Sequence, residues 1–134
     1  MTVVDASAVV EVLLAGPAAA RARVRVRERL FAAGEDLHAP HLLDLEVTQV
    51  LRRYFFAGAI TAERSLQALD ALASLPLTRH RHTPFLPRIW ELRHNVTAYD
   101  AVYLALAESL GAPLVTRDRA LATCKGHQAT VDLL

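Results

Sequence analysis

The chain has 134 residues, a length typical of one domain that buries roughly two-thirds of its unfolded surface in a single core. Its 53% hydrophobic and 22% charged residues exclude a disordered chain or a low-complexity linker. Fifteen Lys and Arg against fourteen Asp and Glu give a net charge of +1, which by itself points neither to a nucleic acid nor to a basic partner. Cys124 is the single cysteine, which excludes an intrachain disulfide or a thiolate metal cluster and is typical of a reducing compartment. We therefore expect one domain over residues 1–134.

The apolar N-terminus differs from a secretory signal peptide. Asp5 and Glu11 interrupt the apolar run, and no Lys or Arg precedes Arg21, whereas a signal peptide has a cationic start and an unbroken apolar centre. No stretch of about 18 uncharged apolar residues that would span a bilayer occurs either. The expectation is a cytoplasmic protein that starts at residue 1 and has no membrane partner.

The first third of the chain contains a strand followed by helices. Residues 1–4 form a β-branched run that predicts a buried strand, and residues 8–15 predict a helix that ends at Gly16 and Pro17. Residues 18–33 are ambiguous, because alternating Arg and apolar residues are typical of a strand. We favour a helix, since Ala, Arg and Leu are strong helix formers. Such a helix aligns one stripe: Ala19, Ala22, Val26, Leu30 and Ala33.

The rest of the chain continues the alternation of strands and helices. Strands are predicted at residues 37–39, within 75–82, at 113–116 and at 129–133. Helices are predicted at residues 41–56, 64–74 (after a Thr61 cap), 84–93, 97–110 and 119–124. This alternation predicts an α/β fold in which a parallel sheet carries helices on both faces.

Two acids stand where an open α/β sheet would bind a ligand, which is beyond the carboxyl ends of its strands, and a third lies at the start of a helix. Asp5 follows the first strand, Asp118 follows the strand at 113–116, and Asp100 lies in the first turn of the helix at 97–110. Each also has a structural explanation. Asp5 (or Ser7) and Asp118 can cap the helices that follow them. Thr97-x-x-Asp100 has the spacing of a capping box.

Glu46 is harder to explain by structure alone. The helix at 41–56 places it between Leu42 and Val50 on the stripe that Leu42, Leu45, Val50 and Phe56 are predicted to bury. A carboxylate there costs several kcal/mol unless a cation or hydrogen bonds compensate for it. Arg52 or Arg53 is one candidate partner. We favour a metal ion shared with the other three acids, since carboxylate oxygens suit Mg²⁺ and Mn²⁺.

Four segments resemble the motifs of the PIN domain, in particular of the VapC-type toxins of bacterial toxin–antitoxin pairs. They are residues 3–8 (VVDASA), 42–47 (LLDLEV), 97–107 (TAYDAVYLALA) and 114–118 (LVTRD). Their order, spacing and total length fit the family across essentially the whole chain, and the segment at 97–107 is the most specific. Residues 58–95 carry little of the family pattern.

The resemblance implies a three-layer α/β/α fold with a mostly parallel central sheet. It also implies a Mg²⁺-dependent endoribonuclease, Mn²⁺ being a possible substitute, that acts as the toxin of a type II toxin–antitoxin pair. The implied metal-site and catalytic acids are Asp5, Glu46, Asp100 and Asp118, with Ser7 and Thr116 as supporting hydroxyls. One or two metal ions would activate a water that hydrolyses an RNA phosphodiester bond, leaving a 5′-phosphate and a 3′-hydroxyl.

The partners implied by the resemblance are an RNA substrate, a cognate antitoxin in a hetero-oligomer, and a second copy in a homodimer. An alternative function from another class is a non-catalytic module of PIN fold that binds RNA or a protein without cutting. The complete set of four acids argues against this alternative, and an assay for Mg²⁺-dependent cleavage separates the two.

Arginine outnumbers lysine 14 to 1, and arginine binds phosphate through two parallel hydrogen bonds. Arg117 and Arg119 flank Asp118 and are the candidate substrate-binding residues. The alternating arginines between Arg21 and Arg29 are a second candidate. On a helix, however, they spread around the circumference, so that a solvated face is the favoured interpretation.

Histidine and aromatic residues are interpreted as structural. His80-x-His82 lacks a third ligand and favours an exposed strand or loop over a metal site. Trp90 and the Tyr54–Phe56 cluster favour core or dimer contacts over stacking on bases. Tyr99 and Tyr103, which flank Asp100 at helical spacing, are predicted to pack.

Overall fold

In a computed structural model, which describes residues 1–14 and 26–134, five strands form one parallel sheet. The strands are β1 (Thr2–Val4), β2 (Leu37–Pro40), β3 (Leu77–His80), β4 (Leu114–Thr116) and β5 (Val131–Leu133). Their order across the sheet is β3-β2-β1-β4-β5, and every neighbouring pair is parallel. The carboxyl ends of all five strands therefore lie along one edge of the sheet.

Helices fill the connections between the strands. They are α1 (Ala6–Leu13), α2 (helical at residues 26–30), α3 (Leu42–Phe56), α4 (Ala62–Ser74), α5 (Leu86–Glu91, after a 3₁₀ turn at Thr83–Phe85), α6 (Ala98–Leu110) and α7 (Arg119–Thr123). Every residue of β1 and β4 is buried, so both faces of the sheet are covered. The α/β fold predicted from the sequence is confirmed, with element ends that differ by a few residues.

The ambiguous segment at 18–33 is helical where the structure describes it. Val26 and Leu30 are buried as the helical stripe requires. The chain leaves the helix after Leu30, and Ala33 is exposed, so that the stripe ends one turn earlier than predicted. Residues 15–25 lie outside the described residues, and with them Ala19, Ala22 and the end of the helix predicted at 8–15.

Helix α6 packs against the sheet and is buried over half of its length. Its residues 101–107 are all buried, and it contacts β1, β2 and β4. Gly111 ends it with a φ of 59°, a left-handed conformation that glycine adopts without a steric penalty. The helix thus holds Asp100, in its first turn, at a fixed position beside the sheet. Within residues 1–14 and 26–134, no helix has the length and hydropathy to cross a bilayer.

The buried face of α3 differs from the predicted one. Leu43, Val47 and Leu51 are buried, whereas Leu45 and Phe56 are 70% and 72% exposed. The predicted stripe was therefore wrong at Leu45 and Phe56, whereas Leu42 and Val50 are partly buried and pack against the core as predicted. As a result, the predicted position of Glu46 at the centre of the stripe is corrected to its border, next to the buried Val47.

Candidate active site

Asp5 is the most tightly held of the four acids. It caps α1, and its Oδ1 accepts hydrogen bonds from the Ala8 N–H at 3.0 Å and from the Ser7 hydroxyl at 2.7 Å. Its Oδ2 accepts a hydrogen bond from the Thr116 hydroxyl. Burial nevertheless raises the pKa of Asp5 above its usual value, and the charge of Asp118 adds to the shift. The carboxylate is thus rigidly oriented, but its negative charge is not compensated.

Ser7 and Thr116 join the ends of β1 and β4 around Asp5. The Ser7 oxygen accepts a hydrogen bond from the Arg117 N–H at 2.8 Å, and the Thr116 oxygen accepts one from the Asp118 N–H at 2.9 Å. The two hydroxyl oxygens are 3.3 Å apart. The parallel pairing of β1 with β4 places these residues side by side. The structure therefore brings both predicted supporting hydroxyls onto Asp5.

Asp118 lies at the rim of the site. It caps α7 through its Oδ1, which accepts hydrogen bonds from the Ala120 N–H at 2.8 Å and the Leu121 N–H at 3.4 Å. The side chain is exposed, and within the described part of the chain its Oδ2 has no hydrogen-bond partner. The capping role and a ligand role are therefore compatible, since each uses a different oxygen.

Asp100 occupies the third position of α6. The Thr97 hydroxyl caps this helix and accepts a hydrogen bond from the Asp100 N–H at 3.2 Å, as expected for one half of a capping box. The carboxyl group is partly buried, and burial followed by the charge of Asp118 raises its pKa, while the Thr97 hydroxyl opposes the shift. The helix start fixes the backbone of Asp100 and leaves the carboxylate facing the other acids.

Glu46 lacks the partner that an isolated buried carboxylate needs. Among the described residues, its Oε1 is buried without a hydrogen bond, and no arginine pairs with it; the Arg52 guanidinium lies 5.0 Å from the ring centre of Phe56 instead. Burial raises the pKa of Glu46, and the charges of Asp100 and Asp5 raise it further. The Tyr103 hydroxyl opposes this shift, although its geometry falls short of a hydrogen bond.

The four acids act on one another electrostatically. Asp118 raises the pKa of Asp5 and Asp100, while Asp5 and Asp100 raise that of Glu46. Mutual repulsion of this kind is relieved by a cation. Within residues 1–14 and 26–134, however, no three acidic, histidine or cysteine side chains are close enough to share a metal ion in this conformation.

The donor set nevertheless fits Mg²⁺. All four side chains offer oxygen, the preferred ligand of hard cations, and one of these oxygens is buried and unpaired. Mg²⁺ commonly keeps several water molecules and takes only one or two carboxylates directly. The separation of the side chains is therefore compatible with a hydrated Mg²⁺ held partly through water.

The two candidate substrate-binding arginines differ in their surroundings. Arg117 forms an ion pair with Glu11 of α1. Arg119 is exposed, and its side chain has no ion-pair or hydrogen-bond partner within the described residues. Arg119 is thus the more available of the two for a phosphate group, and the assignment of both to the substrate stays a prediction.

The arginine and histidine candidates outside the acidic site have other partners. Arg29 forms ion pairs with Glu35 at 3.3 Å and Asp132 at 3.2 Å, and Arg21, Arg23 and Arg25 lie outside the described residues. His80 pairs with His38, with 2.9 Å between their ring nitrogens. Burial, followed by the charges of His38 and His41, lowers the pKa of His80. His82, by contrast, is exposed.

The predictions made for the aromatic residues are partly wrong. Trp90 and the Tyr54–Phe56 cluster are all exposed in this chain. Of the two roles predicted for them, packing in the core was therefore wrong, and contact with a second copy stays a prediction. Tyr103 is buried as predicted, but Tyr99 is 66% exposed. The hydroxyl of Tyr103 beside Glu46 is the site feature that sequence reasoning missed. The only local signal was its position one helical turn after Asp100.

The chain is similar in sequence to known proteins along nearly its whole length. The family model described as PIN domain matches residues 2–126. Ribonuclease VapC1 of Mycobacterium tuberculosis is 42% identical, with 98% of this chain and 96% of that protein covered. Ribonuclease VapC12 of the same organism is 40% identical, with coverage of 100% and 99%.

Solved structures share the fold. The crystal structure of PAE2754 from Pyrobaculum aerophilum matches with a TM-score of 0.73 and 23% identity, covering 98% of this chain and 83% of that one. The structure of VapC20 from Mycobacterium tuberculosis, a toxin described as cleaving the sarcin-ricin loop, matches with a TM-score of 0.66 and 18% identity, covering 91% and 93%. At these identities the two structures support the fold alone.

Proposed function

This chain belongs to the PIN-domain family, and from that premise we propose that it is a metal-dependent endoribonuclease, the toxin of a type II toxin–antitoxin pair. Relatives named as ribonucleases are 40–42% identical along essentially the whole chain. The observation that supports the proposal most is the group of four carboxylates at the carboxyl edge of the sheet. Three of them have pKa values raised by burial and by their neighbours' charges.

The proposed cofactor is Mg²⁺, with Mn²⁺ as a substitute. Asp5, Asp100 and Asp118 are the proposed direct ligands, and Glu46 is proposed to hold a second ion or to orient the attacking water. When bound, the cation supplies positive charge that lowers the pKa of a water and neutralises charge on the scissile phosphate. The support is chemical: four oxygen donors repel one another, and none has an arginine or lysine partner among the described residues.

The protein's own residues contribute by holding these groups in place. Ser7 and Thr116 donate hydrogen bonds to the two oxygens of Asp5, which fixes its orientation without neutralising it. Arg119 is proposed to contact a backbone phosphate, since it flanks Asp118 and its side chain has no partner in the part of the chain that the structure describes. No protein nucleophile is required, and the expected products carry a 5′-phosphate and a 3′-hydroxyl.

The remaining partners are proposed from the family. They are a cognate antitoxin that inhibits the acidic site within a hetero-oligomer, and a second copy of this chain in a homodimer, both in the cytoplasm where RNA is found. Large apolar side chains that are at least half exposed are available for such contacts. They include Leu45, Phe56, Leu66, Leu86, Trp90 and Tyr99.

The decisive experiment incubates purified protein with RNA in Mg²⁺, Mn²⁺ or EDTA and maps the new ends. We expect cleavage that needs a divalent cation, leaves 5′-phosphates, disappears in Asp100→Asn and persists in the matched control Asp70→Asn, an exposed acid of α4. RNA that is bound but stays intact with either cation would support the non-catalytic binding module. Wild-type cleavage by Asp100→Asn would contradict the site assignment.

A further inference from the structure

Two buried polar atoms of neighbouring side chains in the site lack a hydrogen-bond partner among the described residues. The Tyr103 hydroxyl and Glu46 Oε1 are both inaccessible to solvent and unpaired within the described residues, and Tyr103 is only 1% exposed. A buried hydroxyl without a partner destabilises the folded state, because it has given up its hydrogen bonds to water. A phenylalanine would fill the same space without this cost. Packing alone therefore does not account for the hydroxyl.

The two groups can form a hydrogen bond, with the Tyr103 hydroxyl as donor and the Glu46 carboxylate as acceptor. Burial raises the pKa of Tyr103 well above its ordinary value, and the nearby charge of Glu46 raises it further, as do those of Asp5 and Asp100. A phenol hydroxyl carries its proton at neutral pH in any case, so it can act as a donor. Glu46 is an acceptor whose pKa the Tyr103 hydroxyl already lowers against the effect of burial.

The position of Tyr103 ties it to the proposed cation site. It lies three residues after Asp100 on α6, so the two side chains emerge from the same side of that helix. Glu46 lies on α3, so a hydrogen bond between Tyr103 and Glu46 would connect the two helices that carry half of the acids.

Glu46 is also the acid that lacks other restraints. Asp5 is held by three hydrogen bonds. Asp118 is held as the cap of α7, and Asp100 is held in the first turn of α6. Glu46 lies in the interior of α3, where no helix terminus orients it. The Tyr103 hydroxyl is the buried donor that lies next to it.

We propose that Tyr103 is a positioning residue, whose hydroxyl donates a hydrogen bond to Glu46 and orients this carboxylate toward Asp5 and Asp100 when a divalent cation binds. The inference rests on the proposed function, because it requires a cation at the four acids. Hydrogen bonds to the carboxylates that hold a metal typically change its affinity 10- to 100-fold.

The test compares Tyr103→Phe with Tyr54→Phe, which removes an exposed hydroxyl from α3, eight residues after Glu46. Mn²⁺ is the probe, measured by titration calorimetry and by the shift in unfolding temperature that it produces relative to EDTA. We expect Tyr103→Phe to bind Mn²⁺ about tenfold more weakly and to lose kcat for RNA cleavage while KM stays unchanged. Its unfolding temperature in EDTA should equal or exceed that of the wild type, since an unpaired buried hydroxyl is removed. Tyr54→Phe should match the wild type in every measurement.

Two results would overturn the positioning role. The first is wild-type affinity for Mn²⁺ in Tyr103→Phe. The second is a fall in its unfolding temperature in EDTA that accompanies the loss of affinity, because that combination indicates a structural role.

A double-mutant cycle tests whether Tyr103 acts through Glu46. In a Glu46→Ala background, Tyr103→Phe should cause no further loss of Mn²⁺ affinity, and a second full loss would contradict the inference. If the wild type itself neither binds Mn²⁺ nor cleaves RNA, the proposed function fails and this inference fails with it. If the wild type does both and Tyr103→Phe behaves identically, only the inference about Tyr103 fails.

Discussion

Replacing Asp5 by Asn should make the cation-free protein more stable and inactive. The change removes a negative charge from the most buried of the four acids and keeps the shape of the side chain. The cap of α1 is retained, because Asn is as good an N-cap as Asp and its oxygen can accept from the Ala8 N–H. On the other side, the new amide can donate to the Thr116 oxygen, whose own proton is free to rotate.

The magnitude follows from the pKa of Asp5. Its net direction is upward even though three hydrogen bonds lower it, so the folded protein holds the ionised form less favourably than the unfolded chain does. Each unit of such a shift corresponds to about 1.4 kcal/mol, and a domain of this size gains roughly 3–5 °C in unfolding temperature per kcal/mol. Asp5→Asn should therefore unfold at a higher temperature than the wild type at pH 7 in EDTA, by that amount for each unit of the shift.

The sign of this effect depends on pH. A carboxyl whose pKa is raised by folding costs stability above that raised value and costs nothing once the pH falls below its ordinary value, about 3.9. The advantage of Asp5→Asn should thus shrink as the pH falls through the raised pKa of Asp5 and vanish below about pH 4. Asp70→Asn, at an exposed position, should show no such trend.

Thermal unfolding across this pH range tests the predicted gain in stability of Asp5→Asn. RNA cleavage measured in parallel in Mg²⁺ tests its predicted loss of activity. An Asp5→Asn protein that unfolds at a lower temperature than the wild type at pH 7 in EDTA would refute the electrostatic argument and leave Asp5 as a structural cap. Cleavage at the wild-type rate would refute its role in the site.

Three further outcomes are expected. The rise in unfolding temperature that Mn²⁺ produces should shrink between pH 7 and pH 5, because protons compete with the cation for carboxyls of raised pKa; a constant rise would place the cation elsewhere. Thr116→Val keeps the side-chain shape but removes the donor to Asp5 and the acceptor of a backbone N–H, so urea unfolding should show a loss of roughly 1–3 kcal/mol. Arg119→Ala should raise KM for RNA, most at low salt, without changing the unfolding temperature. Arg117→Ala should change KM less, because that guanidinium is paired with Glu11. A larger change in KM for Arg117→Ala than for Arg119→Ala would contradict the assignment.

The sequence predicted the order of strands and helices because short β-branched runs and helix caps are local signals. It failed on the buried face of α3. Leu45 and Phe56 were assigned to the core by their helical spacing, but both are exposed, and Leu43 and Val47 are buried instead. Which large side chains meet the core depends on where the neighbouring helices pack, and this is not encoded within the segment itself.

The acids could be predicted from their places after strands and at helix starts, together with the family resemblance. The contacts that shift the pKa values of these acids could not be predicted. The donor to Asp5 Oδ2 is Thr116, 111 residues away, and Glu46 meets Tyr103 of another helix. The less favoured alternative for Glu46, an ion pair with Arg52, does not form, because Arg52 lies over Phe56, one turn along the same helix. Long-range pairs of this kind leave no spacing pattern in the sequence.

The helix-capping role and the proposed metal-binding role of the acids use the same positions in the fold. A helix N-terminus carries partial positive charge and unpaired N–H groups, so a carboxylate there is both oriented and partly stabilised in its ionised form. Asp5, Asp100 and Asp118 all occupy such positions, which fixes where three of the four acids lie and opposes part of the rise in pKa that burial and mutual repulsion cause. Glu46, in the middle of α3, has no such support. It therefore depends most on what enters the site, and Glu46→Gln should lower cation affinity while costing the cation-free protein no stability.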